Sequence, residues 1–265
     1  MGLSSLEKLL DPYERKARLF PGLLVCLPIA ITVLCIAGSV DPLFKVAISL
    51  MVTCGMPFLL SNIARDAGKK IEDRLFTKWG GMPSTQLLRH TNGHFDRHTK
   101  QRYHEIVTSG AKIPMPTPED ELTNPQGADE AYRAAGFWLR ERTKNPKEFP
   151  HVFRENVAYG FRRNATGLKH VGFLIALLCV LALLASPAYQ AINNEDEILK
   201  TFFLGMSLLQ AISIIVSGAF MIVWAACFSE NSLRRSATAY ADRLIRSCVE
   251  FKQEQKTRTK PAALA

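Results

Sequence analysis

Apolar residues in this chain gather into two blocks near its ends, separated by a long polar and charged middle. Residues 19–40 carry no charge, and residues 42–63 follow with Lys45 as their only charge. A second pair of apolar stretches lies at 170–189 and 201–228. A bilayer core about 30 Å thick takes about 20 apolar residues at about 1.5 Å each, so each stretch is long enough to cross. The pattern predicts an all-α membrane protein: four transmembrane helices in two hairpins, with a helical cytoplasmic domain inserted between the second and third.

In the middle of the chain the pattern changes. Ile63, Ala67, Ile71 and Leu75 recur every four residues through charged sequence, so the second span is predicted to continue as a stalk helix. It ends before the turn Trp79-Gly80-Gly81-Met82-Pro83. Asn92-Gly93 marks a further turn, and residues 99–109 read as a helix closed by Gly110. Residues 111–127 mix Pro114, Pro116, Pro118 and Pro125 with acids, which predicts a surface loop with one helical turn at most. Residues 129–143 read as a helix burying Tyr132, Ala135 and Leu139. Asn145-Pro146 is expected to cap and open the next helix, with Phe149, Val152, Phe153 and Val157 on one face. That helix runs toward a joint at 164–167 and the third span.

Two flanking segments complete the layout. Leu3, Leu6, Leu9, Leu10 and Tyr13 predict a short helix lying on the membrane surface. Leu233, Ala237, Tyr240, Leu244, Cys248 and Phe251 give the tail an apolar stripe. It suits a continuation of the fourth span, a contact between subunits, or a basic helix on anionic lipid. The divisions are an interfacial helix at 1–18, a hairpin at 19–63, the helical domain at 64–169, a second hairpin at 170–228 and the basic tail at 229–265.

Averages hide this division: over 265 residues the mean hydropathy is only +0.03. Charge adds an orientation. Of the 33 Lys and Arg, all but Lys45 and Lys200 lie in the leader, the middle and the tail. The two hairpin turns instead carry Asp41 and Glu195, Asp196 and Glu197. Positive flanks stay on the cytoplasmic side, which places both termini and the middle in the cytoplasm. The six cysteines form no Cys-x-x-Cys, and five of them fall inside the spans, as small apolar residues do.

Three groupings are candidates for chemistry. His90, His94, His98 and His104 approach metal-ligand spacing, but Asn92-Gly93 interrupts the face and no His-Glu-x-x-His is present. Ordinary packing and capping is the commoner use of such histidines, and no metal or other cofactor is expected. Basic and aromatic residues gather at Arg89, Lys100, Arg102 and Tyr103, and again at Tyr159, Arg162 and Arg163. Guanidinium forks suit phosphate oxygens and aromatic faces stack bases, so these seven are the candidate site for a nucleotide or short single-stranded DNA. Arg162 and Arg163 equally suit lipid headgroups. Within the fourth span, Ser207, Gln210, Ser213 and Ser217 fall in one arc of the helical wheel. Such a stripe lines a pore in an oligomer or packs helices closely. No acid or arginine lies mid-span, which argues against a proton-coupled pump, and no catalytic signature is present.

The two hairpins around a basic helical domain come with three short motifs. These are Trp79-Gly80-Gly81-Met82-Pro83-Ser84, Arg102-Tyr103-His104, and Glu155-Asn156-Val157-Ala158-Tyr159-Gly160-Phe161-Arg162-Arg163-Asn164. In these features the chain resembles the membrane effectors of Hailong-type bacterial anti-phage systems. The resemblance implies a homo-oligomer, a tetramer, held closed by a DNA oligomer that a nucleotidyltransferase encoded nearby produces. Loss of that oligomer would open an ion channel and depolarise the infected cell. Two other readings stand beside it: a non-conducting membrane scaffold that docks a soluble defence partner, and a membrane-anchored His-dependent metalloenzyme.

Overall fold

The computed structural model describes residues 11–36, 56–192 and 205–251. Among these the chain is helical and contains no strand. It divides into two compact units, Met1–Ile71 with Gly160–Leu233, and Glu72–Tyr159 with Arg234–Ala265.

In the first unit, a π-helical turn at Glu14–Leu19 leads directly into helix α1, Phe20–Ile36. Residues 12–36 thus form one continuous helix, while Leu3, Leu6, Leu9 and Leu10 of the expected surface helix lie outside the described residues. Helix α2, Met56–Trp79, runs without a break from apolar into charged sequence, which is the stalk the four-residue spacing predicts. Helix α7, Pro150–Ile192, and helix α8, Leu208–Ala226, contribute the late apolar stretches. Three helical segments are long and apolar enough to cross a membrane: Glu14–Cys35, Pro150–Ile192 and Leu208–Ala226. Most of the expected second span and both hairpin turns, with Asp41, Lys45, Glu195, Asp196, Glu197 and Lys200, lie outside the described residues.

Small residues set the approaches between these helices. A Cβ on Gly167 would sit 2.5 Å from the Ala67 carbonyl carbon, and one on Gly22 2.8 Å from the Leu60 Cβ. Close backbone approach through small residues is how helices associate where lipid removes most of the hydrophobic drive. Around these crossings Val25, Ala64, Ala165, Leu168, Trp224 and Phe228 form one buried cluster. The expected joint at 164–167 is therefore corrected: α7 passes through it unbroken, and Asn164 and Gly167 form a helix crossing.

The second unit holds the short helix α3, Pro83–Leu88, then α4, Arg97–Ala111, α5, Pro118–Thr123, and α6, Pro125–Arg142. The chain closes over the described residues with α9, Glu230–Arg246. Tyr132, Ala135 and Leu139 are fully buried, as their spacing predicts. They share a core with Leu88, Val107, Val152, Leu244 and Ile245, so the tail's apolar stripe is a core face rather than a membrane or subunit contact. Two local expectations fail. Residues 111–127 include an N-capped helix, with Thr117 and Asp120 in a reciprocal capping box. Asn145-Pro146 opens a turn, its Oδ1 accepting from Lys147 N at 3.1 Å, and the helix starts only at Pro150.

Candidate functional site

The first basic-aromatic cluster turns out to be structural to a large degree. Lys100 is buried, and its ammonium donates to the carbonyls of Arg89 at 2.7 Å, His90 at 3.3 Å and Asn92. Burial, relieved only partly by Glu121, lowers its pKa from the ordinary value. Glu121 works on the same 89–92 segment from its amide side. Its carboxylate accepts from His90 N at 2.7 Å, Thr91 N at 3.1 Å, the Thr91 hydroxyl at 2.8 Å and the Tyr132 hydroxyl at 2.7 Å. Burial by itself would raise this carboxyl, but the four hydrogen bonds outweigh it and hold the pKa at about 2. The turn is thus clamped by a cation on its carbonyls and an anion on its N–H groups.

Arg89 forks onto Asp129, at 2.8 and 2.5 Å, and reaches the Gly80 carbonyl at 2.9 Å. Tyr103 is buried, with its ring edge-on to Phe95 at 5.2 Å. Of this cluster, Arg102 alone presents an exposed side chain.

The second cluster is divided between the units, with Tyr159 in one and Arg162 and Arg163 in the other. Tyr159 stacks on Tyr240 at 5.9 Å and donates to Glu72 at 2.5 Å. Arg162 is exposed and donates to the Ser232 hydroxyl. Arg163 is buried, with its Nε donating to Asn164 Oδ1 at 3.1 Å.

The histidines face separate partners. His90 Nε2 meets the Pro116 carbonyl and His104 Nε2 the Leu88 carbonyl, both at 2.9 Å, while His94 Nε2 meets Asp242 at 2.8 Å. Burial pushes His104 down from 6.5 to about 4, which keeps its ring neutral near pH 7. Among the described residues, no group of three or more side chains converges as a metal site would require.

The four polar residues of the candidate stripe are each placed differently. Ser207 is the N-cap of α8 and accepts from Gln210 N at 3.2 Å. Gln210 donates its side-chain amide to the Leu183 carbonyl at 2.6 Å. Leu183 precedes Pro187 by four residues, and a proline inside a helix removes the N–H that this carbonyl would otherwise accept from. Asn164 does the same at the first span: its Nδ2 donates at 2.7 Å to the Ala17 carbonyl, four residues before Pro21. A side chain from a neighbouring helix therefore answers Pro21 and Pro187. Ser213 and Ser217 are both fully buried. Ser213 bonds back to the Leu209 carbonyl at 2.8 Å, whereas the Ser217 hydroxyl has no partner among the described residues.

Sequence reasoning missed Glu121, Asp129 and the outward face of α6. The segment Thr117-Pro118-Glu119-Asp120 did carry a legible helix-start signal, a capping box with Pro at the first position. It would have placed Glu121 on a helix beside the core. No family model, curated protein or solved structure matches the chain.

Proposed function

We propose that the chain is a ligand-gated membrane effector. In this reading the helical unit senses a nucleotide or short DNA oligomer in the cytoplasm, and the membrane-associated unit answers by opening an ion path that depolarises the cell. The setting is bacterial anti-phage defence, in a homo-oligomer working with a nucleotidyltransferase. The observation that carries the reading is the Gln210–Ser213–Ser217 seam, above all the Ser217 hydroxyl, buried in an apolar helix without a partner among the described residues. Leaving such a group unpaired costs about 1–3 kcal/mol. Polar groups within a membrane face the protein interior or a water-filled path. The test is current through a planar bilayer holding the purified protein, with Gln210→Leu and Ser213→Leu beside wild type. Reduced conductance in the variants is expected; unaltered current removes the pore assignment.

One observation favours a non-conducting scaffold instead. The outward residues of α8 include Leu208, Leu209, Ile212, Ile215 and Ile222, a face suited to lipid or to another apolar helix. A wild-type protein that inserts, binds its ligand and never conducts establishes that second reading.

A further inference from the structure

Helix α6 has two faces of different character. Tyr132, Ala135 and Leu139 point into the core, each fully buried. On the other side Arg133, Phe137 and Arg140 follow one another at spacings of four and three, which places them along one stripe. Phe137 is 59% exposed. A single exposed aromatic is ordinary on a protein surface. Its setting is not ordinary here, because Phe137 has an arginine about one turn before it and another about one turn after it. All three line a cavity of about 770 Å³ whose apolar wall includes Met82 and Ile113. The Arg140 guanidinium stands 5.5 Å from the Phe137 ring centre, a cation–π contact that keeps a positive charge beside the ring.

Arg133 also lines a second cavity of about 410 Å³, which shares Met82 with the first. Its guanidinium forms no ion pair among the described residues, although Glu130 stands one turn away on the same cavity wall. Asp129, on the wall of the second cavity, is already forked by Arg89, so its charge is balanced. The ensemble is a groove with an open aromatic face, an apolar floor and two guanidiniums. That combination matches a planar base carrying phosphate: the ring stacks, and the forks take the phosphate oxygens. It is the pairing of functions sought from the sequence at Arg89, Lys100, Arg102 and Tyr103, where three of the four side chains are held inside the fold.

We infer that the Arg133–Phe137–Arg140 groove is a nucleotide-binding site, with the base on Phe137 and the phosphates on the two arginines. This rests on the nucleotide-sensing part of the proposed function and gives it a location. The test uses the full chain in lipid nanodiscs and a fluorescein-labelled thymidine oligonucleotide, read by anisotropy, with ATP and inorganic triphosphate as competitors. Phe137→Ala is expected to weaken binding about tenfold, in line with the loss of one stacked base, and Phe137→Tyr to retain it. Replacing Arg133 and Arg140 by Gln should weaken binding and flatten its salt dependence by about 1.4 units of log–log slope, about 0.7 for each phosphate contact on a single strand. Unchanged thermal melts show that the variants fold.

If wild type binds and all the groove variants bind equally well, the groove is wrong while nucleotide sensing stands. If wild type binds neither oligonucleotide nor ATP, both fall. Competition by inorganic triphosphate as strong as by ATP, with no effect of Phe137→Ala, marks a general anion site and overturns the base-stacking assignment. Equal competition by anionic lipid vesicles assigns the groove to a headgroup and overturns it too.

Discussion

The two units treat buried polar groups differently. In the helical unit they close onto one another: Glu121 has four donors and Lys100 three acceptors within a single turn. In the membrane-associated unit the matching is looser. Of the five buried side-chain atoms without a partner among the described residues, Arg18 Nε, Thr32 Oγ1, Ser217 Oγ and Trp224 Nε1 belong to this unit, and only Arg243 Nε to the other. Full pairing specifies one arrangement, because every alternative leaves a desolvated charge. Unpaired groups narrow the gap to other arrangements. The contrast separates a unit whose polar groups specify one arrangement from one whose polar groups specify it less tightly.

The sharpest way to break this comparison is to remove the centre of the tight unit. Glu121→Ala strands the N–H groups of His90 and Thr91 and the Tyr132 hydroxyl, and should cost about 3 kcal/mol in the denaturant unfolding of the helical unit. A loss below about 0.5 kcal/mol would mean the clamp is incidental.

Acid should act on the same unit next most strongly. Glu121 has its folded pKa lowered from 4.5 to about 2, so the stability it contributes is full above pH 4.5 and is lost as pH falls toward 2. His104 is lowered from 6.5 to about 4, so protonation favours unfolding and stability falls as pH drops from 6.5 toward 4. Melting temperature should therefore decline in two steps on acidification, and His104→Asn should remove the upper one.

Smaller effects are expected at the prolines. Asn164→Ala should cost about 1 kcal/mol, and part of that cost should disappear in a Pro21→Ala background, the remainder being the acceptor that Asn164 also supplies to Arg163 Nε. Gln210→Leu with Pro187→Ala forms the parallel cycle. Costs that stay additive in both cycles would separate the amides from the prolines. Arg102→Gln, at an exposed side chain, should change stability least, within about 0.5 kcal/mol.

Much of the fold could be read from periodicity. The apolar lengths located three of the four expected spans among the described residues, and the spacing of Tyr132, Ala135 and Leu139 located the buried face of α6. The same spacing found the tail's stripe but not its destination, since a period shows that a face is apolar and not what covers it. The site was less legible for a similar reason. Arg89 and Asp129 are 40 residues apart, and Gln210 and Leu183 are 27 apart. A basic residue looks the same in sequence whether it faces a ligand or, like Lys100, three carbonyls of its own chain. At Asn145-Pro146 the local rule pointed to a helix start, and a side-chain turn onto Lys147 N took its place.

The amide answers to Pro21 and Pro187 have a mechanical consequence. A backbone N–H leaves its carbonyl only when a turn of helix unwinds, but the half-buried Gln210 can swing away by changing rotamer, whereas Asn164 is fully buried and also held by Arg163 Nε. At the Leu183 carbonyl the helix can therefore flex while its remaining ladder stays intact, within the few ångströms that an amide side chain can follow, while the Ala17 carbonyl stays pinned.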